Sequence, residues 1–141
     1  NSKGIFMGKV INELSKNNIK MNITAVYTHK QTSKILSKIN GKSKVIISIF
    51  AGRAGDVGKD PVPEIKKSIN FAKKFKNVKI LWASVREPYN YLQASQLGCH
   101  LITIPPSIIS KIEKFGKSFK DLTIETVKAF LADSKKSKFK I

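Results

Sequence analysis

The sequence predicts an α/β fold built on parallel strands, and three observations carry that expectation. Short β-favouring segments and longer amphipathic segments alternate along the whole chain. The segments "VIISIF" and "VKILWA" are mostly apolar, as expected of strands covered on both faces. Strands joined by helices of this length pair in parallel through crossover connections.

The elements follow in order. "IFMGKVINELSKNN" sets Phe6, Val10 and Leu14 at helical spacing, with Met7 and Ile11 alongside, and reads as an amphipathic helix. Residues 19–28, "IKMNITAVYT", are short and β-favouring. Residues 31–39 are helical, with Ile35, Leu36 and Ile39 on one face and Asn40-Gly41 as the stop. "KVIISIF" is the second strand, and residues 61–76 form a helix with Ile65, Ile69, Ala72 and Phe75 as its stripe. "VKILWAS" is the third strand. Residues 88–97 make a helix closed by Gly98, and "HLITI" is the fourth strand. Residues 107–115 and 123–133 are the last helices, the second turning Val127 and Phe130 inward.

Two architectures fit this order: an open doubly wound sheet, or part of a (β/α)₈ barrel. Each βα unit takes about 30 residues, and eight reach roughly the 250 of a usual barrel, so four are about half of one. The chain begins at Asn1 in the middle of a repeating pattern, and the expectation is a fragment. No linker or low-complexity stretch divides it, so residues 1–141 are expected to form one structural unit.

Composition narrows the function classes. With 41% hydrophobic residues in 141, the chain can build a core. No apolar run is long enough to span a membrane, and no signal-peptide pattern stands at the start. The single cysteine, Cys99, excludes an internal disulfide, and with His29 and His100 it forms no metal-ligand spacing. A cytoplasmic protein without a membrane partner is expected. The net charge of +18 raises nucleic-acid binding as a competing class. Yet of 27 Lys and Arg residues only Arg53 and Arg86 are arginine, and most lysines fall on the polar side of helical segments. Arginine forks and interleaved aromatics, the usual tools of nucleic-acid readers, are absent. The lysines read as a solvated surface, including those of the tail "SKKSKFKI".

In both architectures ligands bind beyond the carboxyl ends of the strands. Both arginines fall there: Arg53 after "VIISIF" and Arg86 after "VKILWAS". If those strands are neighbours, the two guanidinium groups meet on one rim, together with Gly52 and the Ser84 hydroxyl. Such a group suits a phosphate or carboxylate, which arginine holds with two parallel hydrogen bonds. Glycine at position 52 would let backbone approach a ligand closely. The alternative is local pairing, Arg53 with Asp56 and Arg86 with Glu87. Asn22 and Thr24 share one strand face, as do Ser48 and Phe50, and Thr103 ends the fourth strand. Polar groups at buried strand positions must find partners or a ligand, because an unmet one costs about 1–3 kcal/mol.

Four segments, in this order and spacing, resemble the transaldolase family of class I, Schiff-base aldolases. They are "NITAVYTHKQ", "SIFAGRAGDVGKDPVP", "ILWASVREP" and "GCHLITIPP". The resemblance spans nearly the whole chain. It implies a (β/α)₈ TIM barrel, of which this chain covers about the last four βα units as the C-terminal portion, residues 1–141, of a single domain. It implies transfer of a dihydroxyacetone unit between sugar phosphates, as in the pentose phosphate pathway, with no metal or organic cofactor. Arg53, Ser84 and Arg86 would hold the phosphate. Asn22 and Ser48 would contact the dihydroxyacetone unit, Thr24 would help place the catalytic water, and Phe50 would shape the pocket. The family's Schiff-base lysine would lie upstream of Asn1. Lys20, Lys44 and Lys79 sit at strand starts; Lys20 is four residues, about 13 Å, from Thr24. The chain is therefore expected to be inactive alone. Sugar phosphates are the expected partners, with homo-oligomerisation left open. A fructose 6-phosphate aldolase-like lyase and a basic nucleic-acid-binding module are the alternatives.

Overall fold

The computed structural model describes residues 2–137, so Lys138 and Lys140 of the basic tail lie outside the described residues. The elements are α1 (Gly8–Lys16), β1 (Met21–Val26), α2 (His29–Leu36), β2 (Val45–Phe50), α3 (Ala51–Gly55) and α4 (Val62–Ala72). They continue as β3 (Val78–Ala83), α5 (Tyr89–Leu97), β4 (Leu101–Ile102), α6 (Pro106–Ile112) and α7 (Phe119–Ser137). The expected alternation is present, with one addition. Residues 51–55 form a short helix directly after β2, a stretch to which the sequence pattern assigned no element.

Local chemistry sets several boundaries. Thr28 caps α2 by accepting the Gln31 N–H, and the Gln31 side chain accepts the Thr28 N–H in return. This capping box starts the helix at His29, earlier than the apolar stripe alone suggests. Gly98 ends α5 with φ +74°, a backbone that glycine adopts without strain. β4 has two residues rather than the five expected, because the chain turns into Pro105 and Pro106. α7 is longer than expected at both ends.

The four strands pair in parallel in the order β1-β2-β3-β4. Chain order equals sheet order, so there is no reversal of the kind that marks a doubly wound sheet. The arrangement is α/β, a four-stranded parallel sheet with alternating helices, as in the C-terminal part of a TIM barrel. Val45, Ile47 and Ile49 of β2 and Val78, Ile80 and Trp82 of β3 alternate onto one face, each at most 4% exposed. They pack with Ile35, Ile65 and Ile69 of α2 and α4. Each such fully buried side chain stabilises by about 1.5–3 kcal/mol. Between those helices the hydroxyls of Thr32 and Ser68 meet at 2.9 Å, which satisfies both buried groups.

The opposite face is not covered in this way: Asn22, Thr24 and Lys79 are exposed on it. On that same face Ser48, Leu81 and Ala83 are buried and Ile46 and Phe50 are half-buried, so the two-sided apolar reading of β2 and β3 holds on the helix-covered face and in part on the other. Two apolar stripes behave likewise. Phe6, Val10 and Leu14 are exposed while Ile11 is buried. Val127 and Phe130, expected to face inward, are 50% and 69% exposed, and α7 buries none of its residues. Helical spacing reports that a stripe exists; it does not supply the surface that would cover it.

Candidate functional site

A cavity of about 410 Å³ lies against the carboxyl-end half of the sheet's uncovered face. Asn22 and Thr24 come to it from β1, Ser48 and Phe50 from β2, and Arg53 from α3. Leu81 and Ala83 of β3, then Ser84, Arg86 and Thr103, complete its lining. Of the residues that the sequence put forward for a site, Asn22, Thr24, Ser48, Phe50, Arg53, Ser84, Arg86 and Thr103 are thus in one place, while Gly52 lines a neighbouring cavity instead.

The sheet explains the convergence. β2 and β3 are neighbours with Phe50 opposite Ala83, so the turns that follow them stand side by side. The turns also touch. A Cβ on Gly52 would lie 1.6 Å from the Ser84 carbonyl oxygen and 3.0 Å from Cγ of Arg86. Ser84 holds φ +68°, a left-handed backbone that costs a residue other than glycine about 1–2 kcal/mol. Glycine at 52 therefore serves backbone packing between the two arginine-bearing turns, a demand the sequence reading did not include.

Both arginines line the cavity, but their partners differ from the local pairs that sequence proximity suggests. Arg86 reaches across to Asp56 of the neighbouring turn. Its Nε donates to Oδ1 at 3.0 Å and its Nη2 to Oδ2 at 2.7 Å. The hydrogen bonds and charge of Arg86, with a smaller part from Arg53, hold the Asp56 carboxyl below the usual carboxylate range. The Arg86 guanidinium is shifted upward in turn by the same hydrogen bonds to Asp56. Both side chains are about half exposed, so water screens the pair. Arg53 lies over the Phe50 ring, with Cζ 5.8 Å from its centroid, a contact worth about 0.5–1 kcal/mol at an exposed site. Tyr27 meets the same ring edge-on at 6.1 Å.

On the strands, the buried Ser48 hydroxyl donates to Asn22 Oδ1 at 2.7 Å. Asn22 then keeps its two amide N–H donors for a ligand oxygen, and the Ser48 oxygen keeps its lone pairs. Beyond Asn22, β1 carries an extra residue: Ile23 pairs with Ile47 but Val26 with Ile49. Ala25 absorbs it with φ +57°. Such a bulge re-aims neighbouring side chains, here next to Thr24.

Asp56 as the partner of Arg86 was not foreseen, nor was Asn90. Asn90 is 9% exposed, and its Oδ1 accepts the backbone N–H of Arg86 at 3.0 Å and of Glu87 at 3.3 Å. An Asn four residues after a strand-end arginine is the one local signal that could have pointed to it. Among the described residues no group of three or more His, Cys, Asp or Glu could hold a metal ion. Among them, too, no helix is long and apolar enough to cross a membrane.

Comparison with known proteins adds the decisive observation. The family profile described as "Transaldolase/Fructose-6-phosphate aldolase" matches residues 6–141. The chain belongs to that family. Among curated relatives, a "Probable transaldolase" of Thermoanaerobacter sp. (strain X514) is 32% identical over 134 residues, 94% of this chain and 58% of the relative. One from Thermoplasma volcanium is 36% identical over 131 residues, 91% of this chain and 54% of the relative. Another, from Methanococcus vannielii, is 32% identical over 126 residues, 89% and 54% of the two chains. The chain thus spans just over half the length of these transaldolase-family relatives.

Proposed function

We propose that this chain supplies the phosphate-gripping part of an aldolase-type active site in a transaldolase-like enzyme. What supports the reading is the convergence of Arg53 and Arg86, from separate βα turns, on the cavity that also holds Asn22, Thr24, Ser48 and Phe50. Two guanidinium groups and the Ser84 hydroxyl bind the phosphate of a sugar phosphate, fixing its orientation relative to the reacting carbons. The Asn22 amide, oriented by Ser48, donates to oxygens of the dihydroxyacetone unit. Thr24 places a water for proton transfer, and Phe50 walls the pocket.

In this reading the nucleophile is a lysine on a strand upstream of Asn1, which forms a Schiff base with the ketose carbonyl. The reaction moves a dihydroxyacetone unit from a ketose phosphate such as sedoheptulose 7-phosphate to an aldose phosphate such as glyceraldehyde 3-phosphate. The chain is the C-terminal portion of one barrel domain, and it is inactive alone. Its partners are sugar phosphates rather than nucleic acid or membrane, in the cytoplasm, and it is free to form a homo-oligomer.

Borohydride trapping with fructose 6-phosphate tests this. The protein carrying the upstream strands should be trapped as a reduced adduct, and the 141-residue chain should not. A trapped adduct on the chain itself would overturn the placement of the lysine. The family description also names fructose-6-phosphate aldolase, which favours one second reading, a lyase. Product analysis separates the two: a lyase releases free dihydroxyacetone without an acceptor aldehyde, whereas a transferase needs the acceptor.

A further inference from the structure

We propose that Asp56 is a positioning residue, which together with Asn90 presets Arg86 for a phosphate ligand and so sets the preference for phosphorylated substrates. The inference rests on the phosphate reading of the site, and the two arms of its test fail separately.

Arg86 is shared between two cavities. One is the 410 Å³ cavity on the sheet's uncovered face. The other, of about 320 Å³, lies among α3, α5 and the start of α4, and is lined by Asp56, Asn90 and Gln93 as well as Arg86. Asp56 and Asn90 line the second cavity and are not part of the first. They therefore hold Arg86 from the side away from the proposed ligand.

The hold has two points. Asn90 takes the Arg86 backbone N–H at 3.0 Å, and its own amide donates to Gln93 at 2.9 Å, which fixes its orientation. Asp56 takes the Nε and Nη2 edge of the guanidinium. That leaves Nη1 and the second Nη2 proton to face a ligand. A free arginine must give up most of its rotamer freedom to grip a phosphate; a clamped one has already done so. The Asp56 negative charge repels a phosphate in principle. Half-exposed and bound edge-on by Arg86, it is screened by water and by that partner, so positioning outweighs repulsion.

The chain has only two arginines, which makes the first arm simple. In a ¹H–¹⁵N spectrum of the arginine Nε–H groups, Arg86 should stand apart from Arg53 and exchange slowly with water. Asp56→Asn should move it to the free-arginine position. An unchanged Arg86 signal would overturn the clamp, whatever the substrate. The second arm uses the whole protein. Asp56→Asn should raise KM for glyceraldehyde 3-phosphate about tenfold relative to KM for unphosphorylated glyceraldehyde, with Asp56→Glu recovering part of the loss. A lower KM for the phosphorylated acceptor would make Asp56 a competitor for Arg86 and sink the inference. If the wild-type protein itself shows no preference for the phosphorylated acceptor, the functional reading fails, and the spectrum still decides the clamp.

Discussion

Replacing Gly52 by alanine tests whether the two arginine-bearing turns depend on backbone contact. The new methyl would stand 1.6 Å from the Ser84 carbonyl oxygen and 2.8 Å from its carbon, where an ordinary contact lies at 3.4–4 Å. Relief requires the turns to part by well over 1 Å, and Phe50–Ala83 pairing directly before them resists that. Overpacking of this kind costs about 1–3 kcal/mol. Alanine in a helix gains back about 0.5–1 kcal/mol over glycine, so a net loss near 1–2 kcal/mol is expected. Gly55 is the internal control. It sits in the same short helix, and a methyl added to it would meet nothing within 4 Å, so Gly55→Ala should gain only the propensity. Trp82, the one tryptophan of the chain and 1% exposed, reports unfolding in urea by fluorescence. With a slope of about 1–3 kcal/mol per molar, the Gly52→Ala midpoint should drop by roughly 1 M while that of Gly55→Ala holds or rises. Equal midpoints for the two variants would refute the close-approach explanation.

Three further outcomes are expected. Ser48→Ala removes the donor to Asn22 Oδ1 and should lower stability by about 0.5–1.5 kcal/mol in the same urea assay; no change would mean that the bond is not formed in solution. Because Arg86 lowers the folded-state pKa of Asp56, its contribution is present above the ordinary aspartate range and fades as pH falls through the lowered value. Asp56→Asn should therefore flatten the acid limb of the stability curve below about pH 4, and an identical limb would contradict the pairing. Burial pushes the Cys99 thiol up to about 11, so native protein at pH 8 should react with a disulfide reagent far more slowly than urea-unfolded protein. Equal rates would show that the thiol is not shielded.

Strand and helix order was legible because apolar periodicity is written within each segment. The same holds for the Gly98 stop, a local demand for a left-handed backbone. The placement of Arg53 and Arg86 at strand ends was also legible, since a strand's end is a feature of one stretch of chain. The pairing of Arg86 with Asp56 was not. Sequence proximity favoured Arg53 with Asp56 and Arg86 with Glu87, and the contact depends on which turns lie side by side.

The sequence by itself determined the α/β order and the residue types at the strand ends, because hydrophobic period, caps and turn residues act within about ten positions. Only the tertiary structure decided what those residues meet. It put β2 beside β3, wedged Gly52 against Ser84, inserted Ala25 as a bulge and left the stripes of α1 and α7 largely exposed. Each of these depends on lateral packing between segments far apart in the chain, and no local pattern encodes the distance between two turns.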